Sequence, residues 1–261
     1  MKCTLYQSFS LLFFINLINF CDRGIIPGSY DEFSRFVQSA FDAPHISSSS
    51  SVGLLQSAFV IGIVIGFAGF GNAVHRVQGV FFLTGVGCSI WLLALVLSGL
   101  ASYANSYVFL FVARMLSGIG EASLQCTVPP WIQIHAPSSS KGTYLAVFYT
   151  AMPVGIALGY AYSASMSHSV GWAWSYFVEA LMMAPCITLL FCIDEQRINR
   201  DDGNSHSNNN YSNSHDNKRG GAWLDKNSEY EEVENAIIMQ EMWVMEAVEE
   251  TVQQHEPPDP L

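Results

Sequence analysis

A chain of 261 residues is long enough for one or two soluble domains, yet half of its residues are hydrophobic and only 13% are charged, against roughly 25% in ordinary soluble domains. The charge is also unevenly placed: residues 1–193 carry six Lys/Arg and six Asp/Glu, whereas residues 194–261 carry five basic and sixteen acidic groups, so the whole formal charge of −11 sits in the tail. This pattern excludes a nucleic-acid binder, which needs a basic face, and the low pI describes an appendage and says nothing of cationic substrates.

Apolar stretches long enough to cross a bilayer, about 20 residues each, recur along the first three quarters. They run from about Gln7 to Pro27, Val52 to Phe70, Val80 to Leu100, Tyr107 to Trp131, Thr143 to Ser163 and Trp172 to Ile193. The first has a rival reading as a secretory signal peptide, because Lys2 precedes the apolar run Leu11–Ile18. Against it, the run continues past Asn19-Phe20-Cys21 without a small-residue cleavage site. The first connection, about Ser29–Ser51, is long, and its Ser47–Ser51 run reads as flexible. The others are short and punctuated by Gly71-Asn72, Asn105-Ser106 and Pro137-Ser138. Lys2, Arg76 and Lys141 fall on one side and Arg35 on the other, which by the positive-inside bias places both termini in the cytoplasm. Trp131 and Trp172 stand at span ends, where aromatic residues mark the membrane interface.

The expected architecture is therefore an all-α membrane protein with a six-helix bundle over 1–193, an Asn/Ser/His-rich linker over 194–222, and an acidic amphipathic helix and tail over 223–261. The linker cannot bury enough apolar surface to fold alone. In the tail, Tyr230, Val233, Ile237, Val244 and Val248 recur at helical spacing opposite Glu and Gln, until Pro257-Pro258. An acidic helix of this kind suits a partner helix better than anionic lipid. The sequon Asn210-Tyr211-Ser212 would lie in the cytoplasm and stay unmodified.

Ionisable groups within spans carry the chemistry. Each costs about 2.5–3.5 kcal/mol at a helix centre, so a cavity or a partner is expected. Asp22 and Arg23 fall in the first span, Arg114 and Glu121 in the fourth, and Glu179 alone in the sixth. Arg114 and Glu121 are two turns apart on one face, roughly 10 Å, a spacing able to present both to Asp22. The sharp reading is a proton- and substrate-responsive cluster, in which Glu121 or Asp22 is the titrating acid and the neighbouring Arg favours its charged form. The bland one is a static ion-pair network that locks helix packing. Gly118 and Gly120 follow Arg114, and Gly155 and Gly159 form a G-x-x-x-G after Pro153. Such glycines let helices approach closely, and the proline frees backbone groups that must be satisfied nearby; close packing is the bland reading and a hinge during transport the sharper, compatible one. The six cysteines (Cys3, Cys21, Cys88, Cys126, Cys186, Cys192) show no paired spacing and read as small apolar fillers of helix interfaces. No metal site, no cofactor motif and no enzyme constellation emerges: the histidines lie in loops and tail, and no Gly-rich phosphate loop is present.

Read together, these residues resemble the Spinster family of the major facilitator superfamily. Ile15-Asn16-Leu17-Ile18-Asn19-Phe20-Cys21-Asp22-Arg23 is similar to that family's first-helix signature. Ala113-Arg114-Met115-Leu116-Ser117-Gly118-Ile119-Gly120-Glu121-Ala122-Ser123 resembles its fourth-helix motif, and Met152-Pro153-Val154-Gly155-Ile156-Ala157-Leu158-Gly159-Tyr160 its fifth. Trp172-Ala173-Trp174 with Glu179 resembles the opening of its sixth. The resemblance covers residues 15–193. It implies the N-terminal half of a major-facilitator fold and transport of lysophospholipids or sphingoid lipids across lysosomal, vacuolar or plasma membranes, often proton-coupled. It further implies that Asp22, Arg23, Arg114 and Glu121 match charged cavity residues, with Glu121 as the protonatable group and Arg114 as its partner or as the contact for an anionic headgroup. The sequence departs from the superfamily between Gly69 and Gly79, which keeps Arg76 but has no acid, and at Ala173, where the motif has Arg. The expected partners are an amphiphilic substrate, protons, and a second six-helix half or a second copy of the chain. The rival functions are a membrane adaptor acting through the tail helix and a facilitator of another small solute.

Overall fold

Apolar segments of this length have one economical structure in hydrocarbon, the helix, because it satisfies every backbone N–H and C=O within the segment. The computed structural model describes residues 5–41, 48–74, 79–137 and 140–193. They form seven helices: α1 (Leu5–Gly28), α2 (Tyr30–Phe41), α3 (Ser48–Val74), α4 (Val80–Ala104), α5 (Tyr107–His135), α6 (Lys141–Ser169) and α7 (Ala173–Cys192). Six of them, all but α2, are long and apolar enough to span a membrane. The acidic tail helix expected beyond residue 193 lies outside the described residues, as do Arg76 and most of the loop holding it.

Three expectations about the connections are corrected. The first connection contains the helix α2, whose Phe33, Phe36 and Val37 are buried. Its apolar face covers one end of the bundle: Phe33 and Phe36 pack on Trp172, with ring centroids 4.4 and 5.2 Å apart, and Phe41 meets Tyr107 at 5.0 Å. Glu32 Oε2 accepts the backbone N–H of Trp172 at 3.2 Å. Ser48–Ser51 open α3, with the Ser51 carbonyl accepting from the Tyr107 hydroxyl at 2.8 Å. Gly71-Asn72 does not end that helix either, since Asn72 Nδ2 donates back to the Ala68 carbonyl at 3.0 Å and α3 continues to Val74.

Elsewhere the punctuation is where the residue types dictate. Asn105 takes a left-handed φ of 46° at the end of α4, and the Ser106 side chain caps α5 by accepting from the Phe109 N–H. Gly171, at φ 97°, turns the chain between α6 and α7. Trp131 and Trp172 are not interfacial anchors: both are buried, Trp131 between Phe81 and His135. Cys88 and Cys186 fill buried positions, whereas Cys192 is exposed.

Helix α5 lies along both α3 and α4, α4 also lies along α7, and α1 pairs with α6. Glycine makes the closest of these contacts. A Cβ on Gly118 would strike the Phe59 carbonyl of α3, and one on Gly62 the Met115 carbonyl of α5. Gly120 faces Trp91 and Gly87 of α4 in the same way. In the α1–α6 pair, Gly155 and Gly159 meet the backbone at Leu17 and Cys21, while Gly24 and Gly28 meet α6 at Ile156 and Tyr160. Bulk at these positions forces the helices apart, and dispersion is what holds helices together in lipid. Gly118→Val is expected to abolish the folded monomer in detergent, read by size-exclusion chromatography and thermal unfolding. Gly53→Ala, where an added Cβ meets nothing within 4 Å, is expected to leave both unchanged.

Candidate functional site

Four charges from two helices meet in the centre of the bundle. Asp22 and Arg23 are neighbours on α1, five or more residues before its end, and are buried with Ile18, Asn19 and Ile25. Arg114, Ser117 and Glu121 share one face of α5 at spacings of three and four. Arg114 Nη1 donates to Asp22 Oδ1 at 2.7 Å, and Ser117 Oγ donates to Asp22 Oδ2 at 3.2 Å. Arg23 Nη2 donates to Glu121 Oε1. The pairing is thus crossed between helices: Arg114 pairs with Asp22, as its spacing on α5 allowed, and not with Glu121, the partner the resemblance implied. Two turns of helix set Arg114 and Glu121 too far apart to bond, so each takes its partner from α1.

The surroundings are aromatic. The Arg23 guanidinium lies 4.7 Å from the Phe20 ring centre and 5.2 Å from that of Phe59, and the Arg114 guanidinium lies 4.9 Å from Phe59 and 5.9 Å from Tyr176. Phe59 of α3 therefore faces both cations, an arrangement in which the ring quadrupole stabilises a guanidinium that has left water. Pro27 adds a backbone feature: it lacks the N–H that would otherwise bond to the carbonyl of Arg23. Nearer the start of α1, Asn16 Nδ2 donates to the Phe148 carbonyl at 3.0 Å, and Gln125 Nε2 reaches Asn16 Oδ1 at 3.5 Å.

Glu179 enters from α7. It is buried, and it lies within electrostatic reach of Asp22, Arg114 and Glu121. All five charged residues singled out in the sequence are therefore in one region. Gly118 and Gly120 sit beside it at the α5 interfaces, and Gly155 and Gly159 on the far side of α1. Pro153 is exposed on the outer face of α6. Ser117, Phe59, Tyr176, Gly24, Gly28, Gly62, Gly66 and Gly87 were missed. Ser117 carried a signal, three residues from Arg114 on its face, and so did the four-residue spacings Gly24/Gly28 and Gly62/Gly66. Phe59 and Tyr176 carried none, because their role depends on contacts between helices distant in sequence.

An integral multi-pass helical bundle with two ion pairs inside and apolar side chains outside defines the class. The chain belongs to the Major Facilitator Superfamily, whose family model matches residues 12–226. The Spinster resemblance holds. The chain is 33% identical over 196 residues to "Probable sphingolipid transporter spinster homolog 1" of Arabidopsis thaliana, covering 70% of this chain and 38% of that protein. It is 30% identical over 187 residues to "Protein spinster" of Drosophila melanogaster, covering 71% of this chain and 29% of that one. Among solved structures, a proton:xylose symporter superposes with a TM-score of 0.58 at 19% identity, over 72% of this chain and 44% of its own. The chain thus spans well under half the length of these relatives, in keeping with one six-helix half.

Breaking one buried pair leaves its partner stranded, at about 3–5 kcal/mol, whereas removing both partners together is far less damaging. Arg114→Met alone is expected to lower thermal stability in detergent strongly, and Arg114→Met with Asp22→Leu to recover most of it. A double variant no more stable than the single one would contradict the pairing.

Proposed function

We propose that this chain forms the N-terminal half of a proton-coupled transporter of lysophospholipid- or sphingolipid-like amphiphiles. The observation that carries the reading is the crossed pairing of Asp22 with Arg114 and Arg23 with Glu121, deep in the bundle. Static packing gains little from such pairs, since hydrophobic residues of similar volume stabilise at least as well. A group that must change partners during a cycle requires them. The lipid class is supported by the printed name of the Arabidopsis relative, a probable sphingolipid transporter.

In this reading Glu121 takes the proton. Its neutral form releases Arg23, or Arg114 engages an anionic headgroup, and α1 tilts against α5. Gly118, Gly120, Gly155 and Gly159 let the helices slide, and Pro153 supplies the hinge in α6. The six spans form one wall of a cleft, and the other wall comes from a second six-helix half or a second copy of the chain. Both ends of the unit face the cytoplasm, with Arg35 outside and Lys141 inside, in a lysosomal, vacuolar or plasma membrane. Repeat-built transporters place their sites at such an interface near the bilayer midplane.

The test is reconstitution in liposomes with fluorescent lysophosphatidylcholine and sphingosine as probes. Movement of either lipid is expected to respond to a pH gradient. In Glu121→Gln that response is lost while insertion and the monomer peak are unchanged. A Glu121→Gln protein with an intact pH response contradicts the assignment of Glu121. A protein that moves a sugar or organic anion and ignores both lipids contradicts the substrate class.

A further inference from the structure

The charges buried in the bundle do not balance. Among the described residues, the buried charged side chains are three acids, Asp22, Glu121 and Glu179, and two cations, Arg23 and Arg114. Each guanidinium already faces one carboxyl of the crossed pairs, which leaves Glu179 as the surplus acid. Neither of its oxygens has a hydrogen-bond partner among the described residues, although the residue is only 4% exposed. An ionised carboxylate so placed is far costlier than a neutral one.

Arg114 has the complementary excess. It is fully buried and engages Asp22 through Nη1, while its Nε and Nη2 have no hydrogen-bond partner among the described residues. Tyr176 stands one turn before Glu179, and its ring lies 5.9 Å from the Arg114 guanidinium, so this face of α7 is already turned toward Arg114. The titratable groups around Glu179 are Cys21 and Asp22 from α1, Arg114 and Glu121 from α5, Tyr162 from α6 and Tyr176 from α7 itself. From α4, Cys88 lies near Glu121 and Cys186. Arg114 is the fully buried cation among them, and two of its donor nitrogens are unfilled among the described residues.

We propose that Glu179 holds a proton in this arrangement and is the second partner of Arg114, receiving the guanidinium when Asp22 becomes protonated. The exchange balances. A proton from water binds the Asp22 carboxylate and its bond to Arg114 weakens. Arg114 turns to Glu179, and the Glu179 proton leaves to water as the new pair forms. One proton enters, one leaves, and the charge of the cluster is constant. The inference rests on the proton-coupled reading above and makes Glu179 a positioning residue that acts through Arg114.

The test reads protonation directly and needs no transported solute, so it stands or falls apart from the lipid assignment. Infrared spectra of the full chain in lipid nanodiscs at neutral pH are expected to show the carbonyl band of a protonated carboxyl. Glutamate carboxyls labelled with heavy carbon shift that band. In Glu179→Asp, which keeps an acid at the position, the band persists and no longer responds to the glutamate label. In Asp22→Asn the band is lost although Glu179 is untouched, because Arg114 then pairs with an ionised Glu179. Absence of an acid band in the native chain, a label-sensitive band in Glu179→Asp, or a band that survives Asp22→Asn each overturns the proposal.

Discussion

A charge that enters a bilayer interior must find an opposite charge, hydrogen-bond partners or water, and most of this structure is arranged around that requirement. Neighbouring residues on α1 carry opposite signs, Asp22 and Arg23, and α5 carries Arg114 and Glu121 two turns apart. Only pairing between the helices satisfies all four. The α1–α5 relation is thereby fixed by electrostatics, while α1 packs mainly on α6 and α5 mainly on α3 and α4. The ion pairs thus tie the α1–α6 pair to the group of α3, α4, α5 and α7, alongside the Gln125–Asn16 and Tyr162–Ser175 hydrogen bonds.

Glycine makes that geometry reachable. Where Gly118 meets Phe59 and Gly62 meets Met115, the α3 and α5 backbones approach closely enough for the Phe59 ring to stand beside both guanidinium groups. Larger residues there would open the interface and leave the cations without their aromatic neighbour. Close packing and the buried charge are therefore linked: the low dielectric of a closely packed interior makes an unpaired charge costly and a change of partner consequential. A bundle whose ion pairs were bathed in water would transmit little from a proton to a helix.

The six spans were legible because apolar runs of twenty or so residues have one solution in hydrocarbon. The charged residues were legible for the converse reason, since Asp22, Arg23, Arg114, Glu121 and Glu179 stand out against their surroundings. Helix α2 was not read because its twelve residues mix Asp31, Glu32 and Arg35 with Phe33, Phe36 and Val37. Its apolar stripe acquires meaning only from Trp172, some 140 residues away. The partner of each charge was equally hidden. Spacing along α5 placed Arg114 and Glu121 on one face, but which of the α1 residues each meets depends on the rotation and tilt of two helices. No one-dimensional pattern encodes those quantities.

The crossed pairing itself is the central claim, and double-mutant cycles in thermal unfolding test it most directly. Single and double neutral substitutions at Asp22/Arg114, Arg23/Glu121 and Arg114/Glu121 give three coupling energies in one protein. The first two are expected to exceed about 1 kcal/mol and the third to fall near zero, as non-contacting sites do. Strong coupling between Arg114 and Glu121, with none between Asp22 and Arg114, would contradict the arrangement described here.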